Sequence, residues 1–170
     1  GFYKCSKKSS ESYVEEYQKL YGLNYTILRY GSLYGPRADE TNGIYRIISS
    51  ALRTGMVRYQ GNVESIREYI HVDDASRASV AILENSFENE TIILTGQESL
   101  RVIDLVKMVA EILNLPHDSV EFIDGDYSGH YVRTPYAYDQ KTARRYIPST
   151  HIDLGQGLLQ AMSDIDNVQP

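Results

Sequence analysis

Apolar positions recur at helical spacing in two stretches of the chain, and a third is rich in helix formers. Ile44, Ile47, Ile48, Ala51 and Leu52 fall at i, i+3, i+4, i+7 and i+8, and Gly55 stands where such a helix should stop. Ile103, Val106, Val109, Ala110 and Leu113 repeat the pattern, and Pro116 forbids its continuation. Residues 6–21 are mostly helix formers, closed by Gly22 and Leu23 as a left-handed cap with its apolar contact.

Between these helices lie short runs rich in β-branched and aromatic residues. Residues 24–30 predict a buried strand that runs into the turn-like Gly31-Ser32-Leu33-Tyr34-Gly35-Pro36. Residues 56–59 and 67–72 predict extended segments on either side of a turn at Gly61-Asn62, and residues 91–95 and 120–123 predict two more strands. Asp73 or Asp74 is expected to cap a helix over 75–84. Residues 124–138 show no period, and they lead to a weak helix over 140–146 and a last one over about 155–162. Helix and strand alternate, which predicts an α/β fold.

Composition narrows the function classes. With 42% hydrophobic and 24% charged residues among 170, the chain reads as globular and ordered. A formal charge of -6 argues against nucleic acid or an anionic membrane as partner, because both recruit clustered Lys and Arg. The apolar runs fall short of the ~20 residues a membrane span needs. Cys5 is the single cysteine, so no intramolecular disulfide forms, and a reducing cytoplasm fits.

Tyr3 and Lys7 are four apart, so a helix puts both on one face about a turn from each other. A phenol titrates near ~10 alone, and an ammonium beside it favours the phenolate a general base needs. The spacing carries little weight by itself in a chain with 15 Tyr. Its place matters more, directly ahead of the strand and the Leu33-Tyr34-Gly35-Pro36-Arg37 loop. His71 with Asp73 and Asp74 raises a metal site, but an aspartate cap explains the group more simply.

Five motifs in order resemble the extended short-chain dehydrogenase/reductases, the NAD-dependent epimerase/dehydratase type. These are YKCSK at 3–7, YGL at 21–23, LR at 28–29, SLYGPR at 32–37 and IREYIHVDDASRA at 66–78. Weaker matches follow in ILTGQESLRVIDL at 93–105 and YDQKTARRYIP at 138–148. The resemblance implies the C-terminal part of a Rossmann-type doubly wound fold plus a small mixed α/β substrate-binding domain. Residues 1–36 would belong to the Rossmann domain and 37–170 mostly to the substrate domain, with 91–115 returning to the Rossmann sheet. The Gly-rich phosphate loop and the catalytic Ser or Thr would lie upstream of Tyr3.

The same resemblance implies NAD or NADP as cofactor, a nucleotide-sugar substrate and a homodimer. Tyr3 would exchange a proton with a sugar hydroxyl, and Lys7 would hold the nicotinamide ribose. Tyr34, Gly35 and Pro36 would approach the nicotinamide end, although a plain Gly-Pro turn reads equally from the residues. Arg67 would meet the substrate diphosphate, a task suited to a planar permanent cation, unless it pairs with a neighbouring carboxylate. Ser32 stands where the family usually has Asn; the family's second phosphate-binding arginine is either replaced by Arg133 or absent. Epimerisation stands slightly ahead of dehydration or reduction, and an inactive binding module of the same fold is the rival reading.

Overall fold

The computed structural model describes residues 2–97, 99–123 and 143–168 of the 170. The chain opens with α1 (Phe2–Tyr21), β1 (Thr26–Tyr30), β2 (Ser32–Tyr34) and α2 (Gly43–Thr54). It continues through β3 (Val57–Gln60), β4 (Ile66–His71), α3 (Val72–Ala81), β5 (Glu90–Leu94) and β6 (Ser99–Arg101). Then come α4 (Val102–Ile112), β7 (Val120–Ile123), β8 (Arg144–Arg145) and α5 (Leu154–Val168). The described residues are thus α/β, with strand orders β1-β5-β8, β2-β4-β6 and β3-β7, and every pairing is parallel except β4 with β6.

The helix over Gly43–Thr54 shows how local and tertiary signals agree. Asn42 caps it by accepting from the amides of Ile44 and Tyr45 at 3.0 and 3.1 Å, and Gly55 ends it at φ 67°. Its apolar stripe buries Ile44, Ile47, Ile48 and Ala51 against α4 and α5, where Leu105, Val106, Val109 and Leu158 complete one core. A second core lies under α3, from Ile70, Ala78, Ile92 and Leu94 with Phe87. At about 25 cal/mol per Å² of apolar surface, burying one such aliphatic side chain contributes roughly 1.5 to 3 kcal/mol.

Three expectations need correction. The turn-like segment after Tyr30 is only partly loop, because Ser32–Tyr34 form a strand parallel to β4. Gly31 makes this possible: its amide donates to Leu94 O at 2.8 Å, and a Cβ there would meet Glu68 O at 2.5 Å. The chain can therefore leave the β1 sheet and join the β4 sheet within one residue. The cap of α3 is the His71 side chain, which accepts from Asp73 N at 3.2 Å; α3 begins at Val72, too early for either aspartate to precede it. Asp74 instead accepts from Ile152 N at 2.8 Å and bonds Arg77.

The third correction concerns the weak helix over 140–146. Arg144 and Arg145 are a strand parallel to Ile92 and Ile93 of β5, while residues 140–142 lie outside the described residues. Tyr146 N donates to Ile93 O at 3.1 Å and Arg145 bridges the buried Glu68 at 2.8 Å. These long-range partners outweigh a modest helical preference.

Candidate functional site

Tyr3 and Lys7 lie on α1, a helix with no buried residue. Lys7 Nζ sits 5.4 Å from the centroid of the Tyr3 ring, and the Tyr3 side chain is 69% exposed. The two groups thus share one open helix face, as their spacing requires. A two-pronged ion pair ties α1 to the sheet: Arg29 on β1 reaches Glu11 through Nε at 2.9 Å and Nη2 at 2.7 Å. Both partners are about three-quarters covered, which makes this contact firmer than an exposed pair.

The parallel register of β2 and β4 assembles the other residues. Ser32 stands opposite Tyr69 and Tyr34 opposite His71. Arg67, two residues before Tyr69, shares its face of the strand. Its guanidinium donates to Ile66 O at 3.0 Å and is half-buried, so part of it remains open to a ligand.

Tyr34 is oriented inward. Its side chain is buried, and the α5 backbone at Gly157 lies so close that a Cβ there would meet the Tyr34 ring at 2.9 Å. A ligand at this loop would therefore meet the Gly35 and Pro36 backbone rather than the Tyr34 phenol. Gly35 adopts φ +132°, and a Cβ would meet His71 Nε2 and Val72 Cγ1 at 2.9 Å each, so this turn excludes any side chain. Arg133 lies outside the described residues.

Burial sets the protonation of the groups beneath this turn. It pushes the phenols of Tyr34 and Tyr69 well above their usual value; Asp74 and Asp153 add to the rise at Tyr34, while Arg67 opposes it at Tyr69. Burial also lowers the imidazole of His71, against the pull of Asp73 and Asp74, so the ring is neutral near pH 7. The Tyr34 ring meets the rings of Tyr69 and His71 edge-on, with centroids 6.4 and 5.3 Å away. The sequence raised His71 only as part of a metal candidate with Asp73 and Asp74; its place in this aromatic cluster comes from the β2–β4 register, which sets it opposite Tyr34.

A family model, NAD dependent epimerase/dehydratase family, matches residues 1–95, which include Tyr3, Lys7, Ser32, Tyr34 and Arg67. A dTDP-glucose 4,6-dehydratase of Escherichia coli is 28% identical over 166 residues, covering 90% of this chain and 45% of the relative. A putative UDP-glucose 4-epimerase of Methanocaldococcus jannaschii is 32% identical over 111 residues, 62% of this chain and 36% of the relative. The chain thus spans less than half the length of these two relatives. Among solved structures, the UDP-glucuronic acid 4-epimerase of Bacillus cereus, in complex with a UDP-sugar and NAD, superposes with a TM-score of 0.81 at 24% identity, over 97% of this chain and 52% of its own.

Proposed function

Because this chain belongs to the NAD dependent epimerase/dehydratase family, we propose that it carries the acid/base pair and the substrate-binding part of an NAD(P)-dependent nucleotide-sugar epimerase or dehydratase. The observation that carries this reading is the Tyr3–Lys7 pair. Phenol and ammonium stand one turn apart on an exposed helix face. The likeness of the fold to enzymes that act on UDP- and dTDP-sugars supports it.

A bound nicotinamide would supply a hydride acceptor and donor. The chain fits such a cofactor at the nicotinamide end, where exposed Tyr3 and Lys7 and the side-chain-free turn at Gly35 offer contact. The 170 residues contain no Gly-x-x-Gly-x-x-Gly loop for the pyrophosphate. Tyr3 would take the proton of a sugar hydroxyl through its phenol oxygen and later return it. Lys7 would hold the ribose hydroxyls and favour the phenolate by its charge. Arg67 would donate to the diphosphate, and Ser32, across from Tyr69, would donate to the sugar in place of the family's Asn. The exposed apolar side of α1, with Tyr13, Tyr17, Leu20 and Tyr21, suits a homodimer contact.

The test is calorimetric titration of the chain with UDP-glucose and dTDP-glucose. Binding that Arg67→Ala weakens supports the reading, and no heat with either ligand at millimolar concentration refutes it. NAD should bind this chain no tighter than roughly micromolar, since helix-terminal amides at a phosphate loop supply much of that affinity elsewhere.

A further inference from the structure

The ring of His71 lies between two backbone segments and meets each with a different edge. On one edge Nδ1 accepts from Asp73 N at 3.2 Å and so caps α3. The opposite edge faces the turn at Gly35: a Cβ built there would meet Nε2 at 2.9 Å and Cδ2 at 3.2 Å. The residue is 1% exposed, and Nε2 has no hydrogen-bond partner among the described residues. Because Nδ1 takes an amide proton, the neutral ring carries its own proton on Nε2, and this edge meets the turn by contact alone.

We propose that His71 is a positioning residue for the Gly35-Pro36 turn, its Nε2–Cδ2 edge being the floor that fixes the path of the backbone there. This deepens the proposed function and rests on its placement of that turn at the nicotinamide end of the cofactor. Gly35 holds φ +132°, which L side chains rarely adopt, and it fits because no Cβ intrudes between backbone and ring. The β2–β4 register brings the ring to this spot, since Tyr34 stands opposite His71 and the two rings meet edge-on. Past the turn, Arg37 adopts φ 63° and its amide donates to Asp164 of α5 at 2.9 Å. The turn is thus held from two sides, by the His71 ring at Gly35 and by Asp164 at Arg37. Backbone angles of this kind persist only where the surroundings fix them.

The variant His71→Asn separates the two edges. Asparagine caps helices well, so its Oδ1 can replace Nδ1 at Asp73 N while the floor at Gly35 is removed. In this chain the NMR order parameters of the Gly35 and Arg37 amides should fall from about 0.85 to below about 0.6, with those of Ala75 and Ala78 in α3 unchanged. Unchanged values at Gly35 and Arg37 overturn the inference. Should the variant fail to fold, acid titration of the natural chain decides. A proton on Nδ1 ends the cap, with Asp73 Oδ2 3.9 Å away to receive it; Asp74 and Arg77 of α3 and Tyr34 of β2 also surround the ring. Order at Gly35 and Arg37 should then fall with the midpoint of the His71 ring itself, and order that ignores this midpoint overturns the inference. In the complete gene product the Asn variant should lose turnover by on the order of tenfold or more, with nucleotide-sugar affinity within about twofold, because a misplaced reacting group slows chemistry more than binding. Equal turnover overturns the positioning role. A complete product with no turnover before substitution refutes the proposed function instead, and the order parameters still decide whether His71 supports the turn.

Discussion

The helices Phe2–Tyr21 and Gly43–Thr54 present opposite solutions to the same problem. The first has 20 residues and buries none; the second has 12, with both ends capped, and buries five. Most helical stability in proteins comes from packing rather than propensity, so α1, which buries nothing here, leans on its Glu11–Arg29 clamp. The shorter helix takes its stability from the core it helps to close. The helix that carries the proposed Tyr3–Lys7 pair is thus the one that buries nothing within this chain. Within this chain the Glu11–Arg29 pair is the contact that ties α1 to the sheet.

The contrast can be broken by substitution, beginning with the core. Leu158→Ala removes a fully buried side chain from α5 and should cost about 2 to 5 kcal/mol, read as a lowered urea midpoint. A cost below about 1 kcal/mol would show that α5 is not part of the cooperative unit. Arg67→Ala should weaken nucleotide-sugar binding by roughly 1.5 to 3 kcal/mol, the range for a hydrogen bond to a charged group, with the fold unchanged. Unchanged affinity in calorimetry would remove Arg67 from the site.

A pH titration sharpens the comparison next. Burial lowers the His71 value in the folded state, so the unfolded chain binds the proton more readily. The contribution of His71 is then fully present above its unfolded value near ~6.5, and it declines as pH falls through that value toward the folded one. The urea midpoint should drop more between pH 7.5 and 5 in the natural chain than in His71→Gln, and equal slopes would contradict a buried neutral imidazole. The smallest effect belongs to α1: Tyr17→Ser, at a residue 56% exposed, should change the stability of the 170-residue chain by less than about 0.5 kcal/mol. A larger loss would mean that this face is covered in solution.

What could be read from the sequence follows the range of the forces involved. The Asn42 cap emerged only with the structure, but the apolar stripe from Ile44 to Leu52 and the stop at Gly55 are local, so the helix was legible from them. The strand at Arg144–Arg145 was not, because it is held by Glu68, 77 residues away, and by backbone pairing with Ile92 and Ile93. The same holds for the strand at Ser32–Tyr34, which exists because Gly31 fits beneath Glu68 O and Thr95. At the site, the Tyr3–Lys7 spacing was legible because a helix turn fixes it. The inward aim of the Tyr34 ring was not, since it depends on α5 backbone at Gly157 from the far end of the chain.

The most direct test of the account is turnover of a nucleotide sugar by the complete gene product that contains this chain, with Tyr3→Phe as the comparison. The variant removes only the phenol oxygen to which the proposal gives the proton transfer, at a residue 69% exposed in this chain. The account predicts turnover lower by on the order of 10² to 10⁴, with nucleotide-sugar affinity retained. Turnover near that of the unsubstituted enzyme would contradict the assignment of Tyr3, and with it the division between a packed core and an open reactive helix.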